Sequence, residues 1–121
     1  MTAHRFLVVD DDPDLGTVVM EKLRALGDCT YCGSGHAAIK ELDGGKFDVV
    51  ITDYIMEGGD GGSLAHYCRN HKIPVLVVSS FPETQIRPYL PHGVSFANKF
   101  NAVRGTHLED LVKSILLVPP R

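Results

Sequence analysis

The sequence predicts an α/β fold, a doubly wound five-stranded parallel sheet in the order 2-1-3-4-5 with a shortened or irregular fourth helix. Three observations carry it. Apolar runs of strand character alternate with segments of helical periodicity, the pattern of successive βαβ units. Four of those runs end in a polar residue: Phe6-Leu7-Val8-Val9 in Asp10-Asp11, Phe47 to Thr52 in Asp53, Val75-Leu76-Val77-Val78 in Ser79, and Val94 to Asn98 in Lys99. Right-handed crossovers with helices on both faces bring the carboxyl ends of such strands to one edge, with a switch point between the first and third strands. Asp10, Asp11 and Asp53 are expected to flank that point, with the Ser79 hydroxyl and the Lys99 ammonium in the same pocket.

Each element has local signals. Asp12 is a good N-cap and Pro13 fits the first helical position. Leu15, Val18, Val19, Leu23 and Leu26 form one apolar face, which Gly27 is expected to stop. A short strand covers about Cys29 to Cys32. Ser34 can cap a second helix through about Leu42, ended by Gly44-Gly45. The third strand ends at Asp53. A glycine-rich loop, Glu57 to Gly62, leads to a helix with Leu64, Cys68 and His71 on one side. Pro74 opens the fourth strand. Between Phe81 and Gly93, Pro82, Pro88 and Pro91 limit helix to one or two turns, because an interior proline costs about 3 kcal/mol. Thr106 and Glu109 have the spacing of a capping box ahead of Leu108, Leu111, Val112 and Ile115, and Pro119-Pro120 closes that last helix.

Composition narrows the function. A chain of 121 residues with 44% hydrophobic and 22% charged residues reads as one globular domain, residues 1–121, with no room for an output domain. A net charge of -3 and the lack of a basic cluster point away from nucleic acid and anionic membrane. No apolar run approaches a membrane span, and the N-terminus has no signal pattern, so a cytoplasmic location is expected. Cys29 and Cys32 form a C-x-x-C, but on a strand residues three apart face opposite ways. With no second pair to complete a zinc site, Cys29, Cys32 and Cys68 read as reduced thiols.

The clustered carboxylates define the chemistry. Two unit charges about 4 Å apart repel by about 4 kcal/mol at an effective dielectric of about 20. All-oxygen ligands of this kind suit Mg²⁺, with Mn²⁺ as a substitute. A carboxylate so neutralised beside an ammonium and a hydroxyl is suited to phosphoryl transfer. Asp53 is placed to attack phosphorus, with Lys99 and Ser79 on the equatorial oxygens.

With these motifs in order the chain resembles the receiver domains of two-component response regulators, of the CheY-like (flavodoxin-like) fold, over nearly its whole length. The resemblance implies that Asp53 is the phosphoacceptor, charged from a sensor histidine kinase. It implies metal ligation by Asp10, Asp11, Asp53 and the backbone carbonyl of Ile55, with Asp11 the more direct of the acid pair. It makes Ser79 the switch hydroxyl, Phe96 the switch aromatic and Lys99 the motif lysine. It further implies a stand-alone messenger that is not an enzyme beyond its own phosphoryl uptake and slow loss. Its partners would be the kinase, a downstream protein or phosphotransfer histidine, and a second copy in a homodimer.

The departures from the family pattern are Glu57, where proline is usual, and Phe100 after Lys99. A cis non-proline bond costs about 2.5–4 kcal/mol, so Lys99–Phe100 is expected to be trans. The proline-rich stretch puts the usual output surface, around the fourth helix, fifth strand and last helix, in question. Two rivals compete. Asp10-x-Asp12 also fits a haloacid-dehalogenase-type phosphatase with Asp10 as nucleophile and Asp12 as general acid, which leaves Asp53 unexplained. The other is a pseudo-receiver, a binding module independent of phosphate.

Overall fold

The apolar runs form a parallel sheet in the order β2-β1-β3-β4-β5. The computed structural model describes residues 4–56 and 60–117. In chain order these form β1 (His4–Val9), α1 (Pro13–Leu23), β2 (Gly27–Cys32), α2 (Gly35–Gly44), β3 (Val49–Asp53), α3 (Gly61–Asn70), β4 (Val75–Ser79), α4 (Glu83–Ile86), a 3-10 turn (Arg87–Tyr89), β5 (Ser95–Asn98), α5 (Lys99–Ala102) and α6 (His107–Leu116). The predicted strand order holds. The short α4 and its 3-10 continuation match the restriction imposed by the prolines. The single-turn α5 between β5 and the last helix was not expected from the pattern.

Alternation along the strands sorts the core into two layers. Leu7, Val9, Val50, Val75 and Val77 pack with Ala38 and Leu42 of α2, Leu64, Ala65 and Cys68 of α3, and Ile86 of α4. Phe6, Val8, Val49, Ile51, Leu76 and Val78 pack on the other face with Val19 and Leu23 of α1, Ala102 of α5, and Leu108 and Val112 of α6. Both faces of a parallel sheet are thus covered, which is why its strands read as continuous apolar runs. Cys32 joins the first layer and Cys29 borders the second, so the C-x-x-C pair is split across the sheet. All three cysteines are free, and burial pushes the Cys68 thiol up to about 12.

The helix starts follow their caps. The Asp12 side chain accepts from the Asp14 N–H with Pro13 in the first turn, and Ser34 accepts from the Ala37 N–H. Four local expectations are corrected. Gly27 does not stop α1; it opens β2 opposite His4, where the two backbones approach closely. Val18 is 38% exposed and lies off the buried face of α1. His71 caps the end of α3 and is exposed, with its ring stacked on Tyr67, and Ala65 fills the apolar face instead. Thr106 makes no capping bond: its φ of -107° and ψ of 14° turn the hydroxyl away from the helix N–H groups, and it donates to Asp110 Oδ2. A capping side chain needs an extended backbone to reach those groups. Glu57, Pro119 and Pro120 lie outside the described residues. Among the described residues no helix is long and apolar enough to cross a membrane.

A Cβ at Gly27 would stand 2.2 Å from the His4 carbonyl oxygen. Gly27→Ala is therefore expected to destabilise the protein by about 1–3 kcal/mol, the usual cost of overpacking. Urea unfolding measures it, and an unchanged midpoint would show that the first β1–β2 pair is not closed in solution.

Candidate functional site

Three strand ends and one helix start build the site. Asp10 directly follows β1, Asp53 ends β3, and Lys99 follows β5 as the first residue of α5. The Asn98 side chain accepts from the Phe100 N–H and turns the chain at that point, so that Lys99 leaves β5 toward the acids. The Lys99 ammonium lies 3.1 Å from Asp53 Oδ2 and 3.6 Å from Asp10 Oδ2. Asp53 Oδ1 accepts from the Tyr54 N–H at 2.8 Å. Asp10 Oδ1 accepts from the Asp12 N–H at 2.9 Å. The Lys99–Phe100 bond is trans, since the described residues contain no cis peptide.

Carboxylate oxygens of Asp10, Asp11 and Asp53 all lie within 4.8 Å of one another. Burial pushes the Asp10 carboxyl above its usual range; the Asp12 N–H and the Lys99 charge act against this, while the charges of Asp53 and Asp11 add to it. Burial works against the Lys99 ammonium, but its bond to Asp53 and the charges of Asp53 and Asp10 outweigh this and hold its pKa above the ordinary lysine value. Three carboxylates facing one ammonium form a cation-seeking edge. The donors are hard oxygens without nitrogen or sulfur, so the residues present fit Mg²⁺.

Ser79 reaches the same edge but not the same cluster. It is 2% exposed, and its oxygen accepts from the Phe81 N–H at 3.1 Å. The register partner of Asp53 is Val78, so Ser79 stands one residue further on, across from Asn98. Phe96 is half-buried against the layer formed with α2 and α3. Ile55 is 55% exposed and Phe81 43% exposed.

Other residues at this edge escaped the sequence reading. Gly61 opens α3 so close to the end of β3 that a Cβ there would meet the Asp53 carbonyl oxygen at 2.0 Å. Its N–H donates to the Tyr54 carbonyl. Thr52, fully buried, donates its hydroxyl to the Asp53 carbonyl. The Tyr31 hydroxyl donates to the Asp10 carbonyl. The glycine-rich stretch signalled Gly61, though only as loop; Thr52 and Tyr31 carried no signal beyond strand propensity.

The comparisons agree on one family. The model of the response regulator receiver domain matches residues 6–93. The heme response regulator HssR of Staphylococcus aureus is 34% identical over 76 residues, which cover 61% of this chain and 34% of that protein. The chain thus spans about a third of the length of the curated relatives it matches. Among solved structures, the response regulator TrrA of Thermotoga maritima, in complex with Mg²⁺–BeF, is 25% identical with a TM-score of 0.78, covering 93% of this chain and 99% of that one. The receiver domain of the hybrid histidine kinase CckA is 30% identical with a TM-score of 0.72, covering 93% and 98%. The phosphatase alternative is not favoured by any of these.

The raised pKa of Asp10 has a consequence for stability. A carboxyl that holds its proton more tightly folded than unfolded makes the protein less stable as pH rises through the window above about 3.9, the ordinary Asp value. At neutral pH without divalent ions, the Asp10 charge is then a net cost. Asp10→Asn, which keeps the Oδ1 acceptor for Asp12, should unfold at a higher urea concentration than wild type in EDTA near pH 7. That gap should close as pH falls toward about 4; a gap independent of pH, or a less stable Asp10→Asn, would contradict the assignment.

Proposed function

The chain belongs to the response regulator receiver domain family, and from that premise we propose that it takes a phosphoryl group from a sensor histidine kinase onto Asp53, with Mg²⁺ held by Asp10, Asp11, Asp53 and the Ile55 carbonyl. The observation that carries this reading is the approach of three carboxylates within 4.8 Å while Lys99 reaches Asp53 at 3.1 Å. An Asp53 oxygen attacks phosphorus, the phosphorus–nitrogen bond to the donor histidine breaks, and the electron pair leaves with the imidazole. Mg²⁺ held by those residues would supply positive charge that offsets the acids and the incoming phosphoryl group.

Lys99 holds a second positive charge beside those oxygens. Since the Ser79 oxygen accepts from Phe81, its O–H proton remains to donate to the phosphoryl group. Charge-assisted bonds of this kind contribute about 1.5–3 kcal/mol each, and inverting a 1:99 equilibrium takes about 5.5 kcal/mol. The Ser79 and Lys99 bonds together are of that order. A change of Phe96 packing is the proposed readout, passed on by contact with a downstream protein or by transfer to another histidine.

Intact-mass analysis with acetyl phosphate and Mg²⁺ tests the assignment. Wild type should gain one phosphoryl group; Asp53→Asn, or wild type in EDTA, should gain none that is stable. Label on Asp10 would move the reading to the phosphatase class, and no uptake by wild type would favour a phosphate-independent binding module.

The phosphoryl group is lost when water attacks in line with the Asp53–phosphorus bond. Ile55 and Phe81 stand two residues beyond Asp53 and Ser79, and neither side chain can hydrogen-bond or orient a water. Slow hydrolysis is expected. Ile55→Asn with Phe81→Glu should speed decay by roughly tenfold, about 1.4 kcal/mol of barrier. Decay is followed in Mg²⁺ after donor removal, and an equal or slower rate would reject the shielding.

A further inference from the structure

We propose that Tyr31 is a positioning residue for the acidic edge: its phenol holds the Asp10 main-chain carbonyl and, through it, sets the carboxylates of Asp10 and Asp11 for a divalent cation. The inference rests on the reading of Asp10, Asp11 and Asp53 as the cation site.

Tyr31 lies in β2 as the register partner of Val8, on the face packed by α1 and α6. Its hydroxyl donates to the Asp10 carbonyl oxygen. That carbonyl belongs to the planar peptide joining Asp10 to Asp11, so holding it holds the Asp11 N–H and Cα in one plane and restrains the point from which the Asp11 side chain departs. The rest of Asp10 is tied as well. Its N–H donates to the Cys32 carbonyl at 3.1 Å, and its Oδ1 accepts from the Asp12 N–H at 2.9 Å. Backbone strand pairing and the local turn supply those two bonds. Tyr31 supplies the third from a side chain 21 positions away.

The helix above is shaped to admit the ring. Gly16 is buried in α1, and a Cβ there would stand 2.4 Å from Tyr31 Cε1 and 2.7 Å from Cδ1. Glycine is otherwise a poor choice inside a helix. Placed here, it lets the first turns of α1 rest directly on the phenol ring. Gly16 and Tyr31 therefore form a matched pair beneath the corner that carries Asp10, Asp11 and Asp12.

An ordinary core tyrosine would contribute stability and leave cation affinity alone, so the readout is Mg²⁺ binding by the unphosphorylated full chain, measured by calorimetric or NMR titration. Tyr31→Phe keeps the ring and removes the bond. It should raise the Mg²⁺ dissociation constant by roughly tenfold, the low end of the effect of losing an outer-shell partner. Gly16→Ala, which displaces the ring, should weaken binding in the same direction. Together the two changes should weaken it no more than the stronger one alone. Tyr67→Phe, which removes a different tyrosine–acid bond, to Asp43, should leave affinity unchanged. Wild-type affinity in Tyr31→Phe, or a multiplicative loss in the double variant, would overturn the proposal. Failure of wild type itself to bind Mg²⁺ would instead overturn the reading of the acids as a cation site.

Discussion

Negative charge gathered at one edge of the sheet is the constraint to which the rest of the structure answers. Asp10 and Asp53 emerge from adjacent strands, and the parallel ladder that brings them together cannot separate them without losing register. Lys99 meets both from the far side. It stands at the end of β5, two strands from β3, and its long stem reaches past the end of β4 to set its ammonium between the two carboxylates. A long side chain launched from the end of β5 can do this, which gives the Asn98 cap and the single turn of α5 their place in the fold. In the proposed transfer that ammonium would stand beside a phosphoryl oxygen, so the ion pair that makes the resting edge tolerable would also be preorganised for it.

The two-residue period of the strands divides this edge into two sides. Asp10, Asp53 and Lys99 continue the parity of Val8, Ile51 and Ala97, whose face is packed by α1, α5 and α6. Ser79 continues the parity of Val77, whose face is packed by α2, α3 and α4 and bordered by Phe96. Asp10, Asp53 and Lys99 therefore leave the sheet from one side, the hydroxyl and aromatic proposed for switching leave from the other, and Asp11, beyond the end of β1, joins the acids from the turn. A phosphoryl group on Asp53 that drew in Ser79 would couple the layers across the sheet edge. The coupling would run through a two-position element at Ser79 and Phe96, as a population shift requires.

What could be read from the chain follows from where its information lies. Strand positions were legible because burial on both faces writes long apolar runs, and the crossover rules gave a doubly wound sheet, of which 2-1-3-4-5 is one common order. Asp10, Asp11, Asp53 and Lys99 were legible because each terminates such a run. Features that depend on contact between distant segments were not. Gly27 looked like a helix stop because glycine serves both as a cap and as the residue for close backbone approach, and only the position of His4 decides between them. Thr106 had the right partner spacing but the wrong backbone angles, which sequence spacing does not encode. Tyr31 and Gly16 have meaning only as a pair, 15 positions apart, brought together by the packing of α1 on β2.

The region of α4 is the part of the fold least able to hold itself. Four helical residues cannot hold themselves, since isolated helices of that length do not persist in water. Arg87 adds a fork to Glu83 and a bond to the Val94 carbonyl, two residues before Phe96. The exposed Arg87–Glu83 pair contributes only about 0.3–0.5 kcal/mol. Burial of Ile86, Leu90 and Val94 must therefore fasten the segment. Elements that switch are drawn from the least stable parts of a domain. A short, proline-bounded α4 anchored by three apolar side chains, beside the half-buried Phe96, fits that description better than the sheet or α6 does. The prolines that shorten the helix leave less structure to rearrange in the proposed switch, which would then act where Arg87 ties the segment to the approach to β5.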